Sequence, residues 1–453
     1  MTAIDVADRI QSDLAHLLHP LYHPSGHQSP KIWMKGSGAI VTDIEGCEYI
    51  DGLSGLWNVH VGHGRRELAE AAADQMTTLA YCSAYTGSSN LPAINLAERL
   101  SRLMYPSINT FFFTSGGAEA TETSFKTARY YWKLLGKPDK IKFISRIRGY
   151  HGVTMAAMSA TGLSIYWPMF EPRVPGMIHI ESPYPYRFVN PTPDISDGIA
   201  AANLLEDAIL REGPETVAAF IAEPVQGAGG VIVPQDDYFG RIREICDRYE
   251  VLLIADEVIT GFGRTGRWFA LEHYGIEPDI VQFAKGITSG YVPLGGIGVS
   301  DRIREAIHSA PPDKRYMHAY TYSGHPTCCA VALRNLQIIE AEGLVERAAV
   351  LGERLLNGLK TLCALDGVGD VRGKGMMAAV ELVADKATKQ PYPAEANVGG
   401  RVYQEMLKRG LFTRVLGDMV LLAPPLVTTE EQIDRIVTII GESVQAVVRG
   451  QGV

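Results

Sequence analysis

Short apolar runs alternate with amphipathic helical patterns between residues 111 and 299 of this 453-residue chain, and this alternation constrains its fold most strongly. In the helical pattern at 237–249, apolar side chains recur every three or four residues. The runs that predict strands lie at 111–113, 217–222, 251–255, 280–284 and 296–299. Strands that alternate with helices in this way predict an α/β fold, in which helices cover a mostly parallel sheet.

The pattern changes after residue 326. Helical patterns become longer, and shorter apolar runs at 376–383 and 419–423 separate them. The longer helices are predicted at 343–362, 397–410 and 428–448. This change predicts a second, smaller α+β domain at the C-terminal end of the chain.

Charge and cysteine content exclude several classes of protein. With 42 Lys and Arg against 51 Asp and Glu, the net charge is −9, so the chain lacks the basic surplus of a nucleic-acid binder. Six cysteines are too few for a disulfide scaffold, and His325-x-x-Cys328 lacks the second half of a zinc site, so no metal is predicted. Acidic residues precede the first apolar run (Asp5, Asp8 and Asp13), which is not typical of a signal peptide, and we expect a cytoplasmic protein.

The segment 149–170 has no charged side chain and is long enough to suggest a membrane span. It is too polar for lipid, however, because it contains His151, Ser159, Thr161, Ser164 and Pro168. We therefore expect no membrane association, and we predict buried structure near a functional site.

A possible phosphate site follows the first predicted strand. Ser115, Gly116, Gly117 and Ala118 lie between that strand and a helix. Glycines let a ligand approach the backbone closely, and the free N–H groups of a helix N-terminus favour an anion such as phosphate. An ordinary tight turn is the alternative interpretation.

Two side chains at the end of the strand at 251–255 suit a heteroaromatic ring. Side chains alternate along a strand, so Asp256 and Val258 face the same side. Val258 would pack on the face of the ring, and Asp256 would bond a ring N–H. The alternative is a solvated strand end.

Lys285 directly follows the apolar run at 280–284. Between residues 143 and 313 it is the only lysine, whereas arginine occurs twelve times. Arginine stays protonated, but a desolvated lysine can lose its proton and form an imine with an aldehyde. A surface lysine that ends a strand is the alternative.

Residues 261–266 match G-x-G-x-x-G, the dinucleotide fingerprint, but five residues separate them from the preceding strand and no helix is predicted to follow. We therefore predict no nicotinamide site there. The other three features together describe pyridoxal 5′-phosphate (PLP), which needs a phosphate cup, a carboxylate at its ring nitrogen and a lysine for its aldehyde.

The same stretches carry a family resemblance. The chain resembles the class III (ω-type) aminotransferases, which are fold-type I PLP enzymes, over nearly its whole length. The matching stretches are SGGAEA at 115–120, YHG at 150–152, AEPVQG at 222–227, LIADEVITGFGRTG at 253–266, PDIVQFAKGITSGYVPLGG at 278–296 and YTYSGHP at 320–326. The resemblance implies an N-terminal segment (1–60) that joins the small domain, a large PLP-binding domain (61–325) and a C-terminal small domain (326–453).

The resemblance also implies roles around the cofactor ring. Lys285 would hold PLP covalently and later carry a proton, while Asp256 would bond the ring nitrogen. Val258 would back the ring, and Tyr150 would stack on its other face with His151 beside it. Glu223 would orient the site near Asp256.

Further roles concern the phosphate and the substrate. Gly117 and Ala118 would donate backbone N–H groups to the phosphate. Thr321 would reach the phosphate from a second subunit, which implies a homodimer or a dimer of dimers with shared active sites. Trp57 and Tyr85 would line the substrate pocket. Gly116 departs from the family, which commonly has Ser or Thr there, and Ser115 is the nearest hydroxyl that could replace it.

Arg414, in the stretch TRVLGD, resembles the mobile arginine that takes a substrate carboxylate. The stretch is predicted to be a loop between a helix that ends near Gly410 and the apolar run at 419–423. A surface ion pair is the alternative for Arg414, and core packing is the alternative for Tyr150 and Trp57. The histidines His60 and His63 are predicted to pack or cap and to take no part in the site.

Together these features predict a PLP-dependent aminotransferase. It would move an amino group from a primary amine or ω-amino acid to a keto acid, for which we expect pyruvate. Two alternatives stay open: another PLP reaction on the same scaffold, such as that of an aminomutase or epimerase, and a non-catalytic binding subunit with the same fold.

Overall fold

The computed structural model describes residues 6–449. Residues 1–5, which include Asp5 and begin the predicted N-terminal segment, lie outside the described residues. So do residues 450–453, which end the predicted C-terminal domain. In chain order the strands are β1 (Trp33–Ser37), β2 (Ile40–Asp43), β3 (Glu48–Asp51), β4 (Ile108–Thr114), β5 (Lys142–Arg146), β6 (Met177–Ile180), β7 (Val217–Ala222), β8 (Leu252–Asp256), β9 (Ile280–Phe283), β10 (Gly295–Ser300), β11 (Val368–Gly373), β12 (Ala378–Leu382), β13 (Leu411–Phe412), β14 (Arg414–Leu416) and β15 (Met419–Leu422).

The helices lie mostly between these strands. In chain order they are α1 (Val6–His16), α2 (Ser54–Trp57, one irregular turn), α3 (Arg66–Thr78), α4 (Leu91–Ser101), α5 (Gly117–Leu134), α6 (Met155–Ala160), α7 (Asp197–Glu212), α8 (Tyr238–Arg248), α9 (Asp301–His308), α10 (Pro326–Ala341), α11 (Leu344–Thr361), α12 (Val398–Lys408) and α13 (Glu430–Arg449). Short 3₁₀ turns include Pro24–Gly26 and Lys285–Ile287.

The central sheet has seven strands in the order β4-β10-β9-β8-β7-β5-β6. Strands β5 to β9 pair in parallel, and β10 pairs antiparallel with both β9 and β4. Strand β7, which lies between β8 and β5, is buried along its whole length, as expected for a parallel strand with helices on both faces. The prediction of a mostly parallel, covered sheet is confirmed.

Helix α5 covers one face of this sheet and places its N-terminus at the sheet edge. Its buried side chains include Ala120, Phe125, Ala128 and Trp132, which pack on the sheet in one hydrophobic cluster. The helix ends just before Gly136, whose φ of +74° suits glycine. Strand β4 runs in the same direction as the parallel strands, because β10 is antiparallel to both β4 and β9. Since α5 follows β4 directly, its first residues lie at the carboxyl ends of these strands.

Two four-stranded sheets flank the C-terminal helices, in the orders β1-β2-β3-β13 and β11-β12-β15-β14. In the first of these, β13 pairs in parallel with β3, so a strand near residue 411 joins strands from residues 33–51. This pairing supports the predicted association of the N-terminal segment with the C-terminal part. The division into parts at residues 60 and 325 stays a prediction.

Two local predictions were wrong. Arg414 and the two residues after it form β14, the first strand of a hairpin with β15, and do not form a loop. The turn has Gly417 at φ +56°, and a three-residue strand is too short to show a periodic pattern. In the segment 149–170, residues 157–162 are buried, but Val153 and Met155 are exposed, and Ile165, Met169 and Phe170 are 82%, 87% and 65% exposed. Within residues 6–449, no helix is both long and apolar enough to span a membrane.

Candidate active site

A cavity of about 310 Å³ opens beyond the carboxyl ends of the parallel strands. Ligands of open α/β sheets bind at this edge, where loops from neighbouring strands meet. The structure brings ten of the predicted site residues to its wall: Trp57, Gly117, Ala118, Tyr150, His151, Glu223, Asp256, Val258, Lys285 and Arg414.

Lys285 lies two residues after β9, at the start of a 3₁₀ turn. Its φ is +46°, a strained conformation for a residue with a side chain, and such strain concentrates at functional sites. The turn fits tightly, because a Cβ on the next residue, Gly286, would lie 2.2 Å from Cε1 of the buried His60. The fold therefore holds the Lys285 backbone in one position at the cavity wall.

The amine of Lys285 is a better nucleophile than a solvated lysine. The pKa of Lys285 is lowered from 10.5 to about 8, chiefly by desolvation; Asp256 and Glu223 raise the pKa, and the nearby Arg414 guanidinium lowers it. A far larger fraction of this amine than of a solvated lysine is therefore unprotonated near neutral pH, which imine formation requires.

A second lysine shows that a lowered pKa alone does not identify a site. Burial also lowers the pKa of Lys140 to about 8. Its Nζ, however, donates to backbone carbonyls of Pro214, Val217 and Glu250 at 2.8–3.0 Å. This amine is used in structural hydrogen bonds, whereas Lys285 faces a cavity.

Asp256 ends strand β8 and is paired with a histidine. Its Oδ2 lies 2.7 Å from Nδ1 of His151, and its Oδ1 accepts a hydrogen bond from the Val258 N–H at 3.1 Å. Both Asp256 and His151 are 3% exposed. The sequence placed His151 beside Tyr150 and did not predict its bond to Asp256, which joins residues 105 positions apart.

Glu223 positions the loop that carries Tyr150. Its Oε1 accepts from the Tyr150 N–H at 2.9 Å, and its Oε2 accepts from the Gly227 N–H at 2.8 Å. Burial raises the pKa of Glu223, Asp256 raises it further, and His151 and these two N–H groups oppose the rise. Both carboxylate oxygens of Glu223 therefore accept hydrogen bonds from backbone N–H groups, and these bonds hold the Tyr150 and Gly227 backbone in place.

The N-terminus of α5, which the sequence predicts to bind a phosphate, lies at the cavity wall. Gly116 is its N-cap and no side chain caps it, so the first N–H groups keep their bonding capacity. A Cβ on Gly117 would lie 3.0 Å from Val258, and a Cβ on Gly152 would lie 2.7 Å from that of Ala118. These glycines allow three loops to meet closely around the helix N-terminus.

Packing does not require a glycine at position 116, where the resembling family commonly has Ser or Thr. A Cβ there would meet no atom within 4 Å, and the backbone is extended, so a residue with a side chain would fit. The backbone N–H of Ser115 donates to Glu119 at 2.8 Å. Neither Ser115 nor Gly116 contributes to the cavity wall, which begins at Gly117.

Trp57 and Arg414, which the sequence predicts to contact the substrate, both line the cavity. Trp57 is 1% exposed and its Nε1 has no partner among the described residues, so it both packs in the core and faces the cavity. Arg414 is half-buried, and within residues 6–449 its guanidinium forms no ion pair. The surface ion pair considered for Arg414 is therefore absent from the described part of the chain.

Other predicted residues lie elsewhere. Thr321 and Tyr85 are exposed and stay outside the cavity of their own chain. His60 is buried with its Nδ1 3.2 Å from the Phe262 carbonyl, and His63 Nε2 lies 2.8 Å from Asp51, so both pack as expected. The G-x-G-x-x-G stretch is followed by a 3₁₀ turn and not by a long helix.

Sequence reasoning missed several cavity residues. Tyr166 lies with its ring centroid 5.8 Å from that of Tyr150, and Pro20 and Leu21 reach the cavity from the segment after α1. These three residues lie outside the stretches that resemble the family. The absence of charged side chains in 149–170 is the one sequence feature that indicated a position near the site for Tyr166. The others are Leu56, Gly152, Val153, Ala228 and Ile259.

The residues present fit PLP. A desolvated amine, a buried carboxylate beside a branched apolar side chain, and an uncapped helix N-terminus face the same cavity. These match the aldehyde, the ring nitrogen with its ring face, and the phosphate of that cofactor.

Comparisons with known proteins agree with this geometry. The family described as aminotransferase class-III matches residues 22–444. A putrescine–pyruvate aminotransferase of Pseudomonas aeruginosa is 40% identical over 94% of this chain and 93% of its own length.

Solved structures are similar throughout. An (S)-enantioselective omega-transaminase from Thermomicrobium roseum has a TM-score of 0.95 and 49% identity, covering 98% of this chain and 99% of its own. An amine transaminase from an uncultivated Pseudomonas species, in its PLP-bound form, has a TM-score of 0.92 and 40% identity, covering 95% and 99% of the two chains.

The lowered pKa predicts an unusual reactivity for Lys285. In cofactor-free protein, its rate of modification by an amine-directed reagent should reach half its maximum near pH 8, because the unprotonated amine reacts. Lys31 is the internal control: partial burial lowers its pKa, but hydrogen bonds to Asp43 and Tyr49 raise it above its ordinary value. Mass spectrometry of peptides gives both rates. Half-maximal reaction of both lysines at the same high pH would contradict the lowered pKa of Lys285.

Proposed function

The chain belongs to the class-III aminotransferases, which use PLP, and we propose that it moves an amino group from a primary amine or ω-amino acid to pyruvate. One observation carries the proposal. The amine of Lys285, the Asp256–His151 pair and the uncapped N-terminus of α5 converge on a single cavity.

Bound PLP would supply an aldehyde for amines and a ring that accepts an electron pair. Lys285 would hold the cofactor through its amine when no substrate is bound. Once a substrate amine displaces it, the freed Lys285 Nζ would act as a general base at the substrate carbon that bears nitrogen. A pKa of about 8 suits this role, because a base works best when its pKa lies near the working pH.

Asp256 would keep a proton on the ring nitrogen. A carboxylate facing a pyridinium stabilises the protonated form by charge pairing. His151 donates to Asp256 Oδ2 and so holds the carboxylate in one orientation, at 2.7 Å.

Other residues would position the ring and the phosphate. Val258 would pack on one ring face and Tyr150, held by Glu223 through its backbone, would cover the other. Gly117 and Ala118 would donate N–H groups to the phosphate. Trp57 and Tyr166 would exclude water from the substrate side of the cavity.

The charge of the cavity supports a keto acid with a single carboxylate. Among the described residues of its wall, Arg414 is the one arginine and Lys285 the one lysine. With Lys285 engaged by the cofactor, Arg414 is left to bind one carboxylate, as pyruvate has. The putrescine–pyruvate aminotransferase that matches this chain acts with the same acceptor, according to its name.

A second subunit would complete the site. Thr321 is exposed and lies outside its own cavity, although its segment carries the YTYSGHP motif. Large apolar side chains are also exposed at Leu18, Ile165, Met169 and Met317, each above 80%. Association of two chains would bury apolar side chains of this kind, and the exposed position of Thr321 fits a homodimer in which Thr321 reaches the partner's phosphate.

A donor panel with pyruvate as acceptor tests the proposed function. The purified holoenzyme should form one alanine for each amine consumed, for at least one of aromatic amines, diamines, taurine or β-alanine. Conversion of an amino acid into its isomer without alanine would instead show an aminomutase or epimerase. If no donor reacts and none changes the cofactor spectrum, the result would favour the alternative of a non-catalytic binding subunit.

Replacing Asp256 should separate binding from turnover. Asp256→Asn should still retain PLP, yet lose turnover by roughly 100-fold or more, because an uncompensated buried partner costs about 3–5 kcal/mol. Cofactor absorbance gives occupancy, and alanine formation gives turnover. Near-normal turnover would remove Asp256 from the ring nitrogen.

Mixing two inactive variants tests the shared site. A Lys285→Ala chain and a Thr321→Ala chain should form heterodimers with one intact site and one doubly damaged site. Activity after subunit exchange should therefore exceed that of either parent. Heterodimers no more active than both parents would argue that each chain binds phosphate with its own residues.

Removing Arg414 should affect the two half-reactions unequally. Arg414→Ala should weaken the keto-acid half-reaction by roughly 2–4 kcal/mol, the cost of losing a charged hydrogen-bonded partner. The half-reaction with an amine that lacks a carboxylate should change much less. The cofactor spectrum follows each half separately, and Arg401→Ala, on the exposed face of α12, is the matched control. Equal losses in both halves would mean that Arg414 supports the cofactor or the fold.

A further inference from the structure

Three metal-ligating side chains meet outside the active site, in the segment that follows α1. Asp13 lies in the last turns of that helix, and His19 and His27 follow it. His19 Nε2 is 3.1 Å from both carboxylate oxygens of Asp13, and His27 Nε2 is 2.8 Å from Oδ2. The three side chains are 14–28% exposed, so the cluster is accessible to a small ion.

The donor atoms suit a divalent transition metal. Two imidazole nitrogens and one carboxylate oxygen all lie within 4.8 Å of one another. Two histidines and a carboxylate are a common zinc ligand set, with the fourth position open to water. Zinc at about 2.0–2.1 Å from each ligand would separate neighbouring donors by roughly 3.3 Å in a tetrahedron. The present separations of 2.8 and 3.1 Å need only a small expansion.

Charge also favours a cation at this cluster. Within residues 6–449, no lysine or arginine pairs with Asp13, and its ion-pair partners are the two histidines. The imidazole rings of His19 and His27 lie only 3.9 Å apart between centroids, so two protonated rings would repel each other. One divalent ion would satisfy both neutral rings and the carboxylate together.

A second group of potential ligands, Asp43, Glu45 and Cys47, lacks this property. There the Lys31 ammonium already lies 2.7 Å from Asp43 Oδ2, and the backbone N–H groups of Glu45 and Cys47 donate to Oδ1. The Lys31 ammonium therefore already neutralises Asp43, so a metal ion is not needed there. Among the described residues, no lysine or arginine neutralises Asp13 in this way.

The position of the cluster connects it with the active-site cavity. The chain between His19 and His27 includes Pro20 and Leu21, both of which line the active-site cavity. This stretch is held loosely by the protein itself, since Leu21 is 69% exposed and α1 has no buried residue. An ion bound by residues on both sides of the stretch would restrict its motion.

We propose that Asp13, His19 and His27 bind a divalent transition-metal ion, and that the ion fixes the Pro20–Leu21 segment as a wall of the active-site cavity. The metal site does not rest on the proposed transaminase activity. Its tests therefore use metal binding and proteolysis, which can fail or succeed independently of turnover.

Metal binding is measured on tag-free holoenzyme after dialysis against a chelator. Titration with Co²⁺ should give one ion per chain, with the visible absorption of a four- or five-coordinate site, and Zn²⁺ should displace it. His19→Gln and His27→Gln should weaken binding by at least about 100-fold, since even groups that only support a ligand are worth about 10–100-fold. His16→Gln, an exposed histidine at the end of the same helix, is the matched control and should bind like the wild type.

Equal Co²⁺ affinity in the wild type and the His19→Gln/His27→Gln double variant would overturn the site. A wild-type holoenzyme that takes up no Co²⁺ or Zn²⁺ would also overturn the site, because the three side chains would then only hydrogen-bond to one another. Retention of PLP absorbance in each variant shows that the fold is intact.

Limited proteolysis tests the effect on the cavity wall. Chymotrypsin cleavage beside Leu21 and Tyr22 should slow several-fold when Zn²⁺ is added to the wild type, because cleavage requires the segment to open. The rate in His27→Gln should not respond to Zn²⁺. A wild type that binds the ion but is cleaved at an unchanged rate would refute the fixing of the segment.

Discussion

Desolvation of one lysine amine at the carboxyl edge of the parallel sheet is the constraint that the rest of the site serves. An amine in water stays protonated, and Lys285 becomes partly unprotonated near neutral pH because the fold withdraws it from water. Neighbouring carboxylates at Asp256 and Glu223 oppose this shift. Both carboxylates are engaged elsewhere, Asp256 with His151 and Glu223 with two backbone N–H groups, so neither forms a direct ion pair with the amine.

Close backbone packing keeps this arrangement in place. His60 packs against Gly286, next to Lys285, and Val258 packs against Gly117 at the start of α5. Each contact leaves no room for a side chain, so the lysine turn and the helix N-terminus are fixed relative to the strand ends. Close packing therefore surrounds the predicted cofactor end of the cavity. The rest of its wall includes the half-buried Arg414 and Leu21, which is 69% exposed.

The sequence predicted those parts of the structure that depend on local pattern. Strands, the α5 helix and the placement of Lys285 and Asp256 at strand ends follow from short apolar runs and the residues that succeed them. The bond between His151 and Asp256 was not predictable, because it joins residues that only the sheet order brings together. Strand β14 was missed because three residues show no periodicity, and Pro20 and Leu21 were missed because they reach the cavity from a separate segment. Thr321 lies outside the cavity of its own chain, as expected for a residue that the family resemblance assigns to the partner's site.

We predict that Lys285, and no other lysine, carries the cofactor. Borohydride reduction of the holoenzyme fixes PLP to the lysine that holds it, and peptide mapping then locates the label. The label should lie on Lys285, with none on Lys140, whose pKa is lowered as far but whose amine is bound by backbone carbonyls. A label on Lys140 or on any other lysine would show that Lys285 is not the residue that binds PLP.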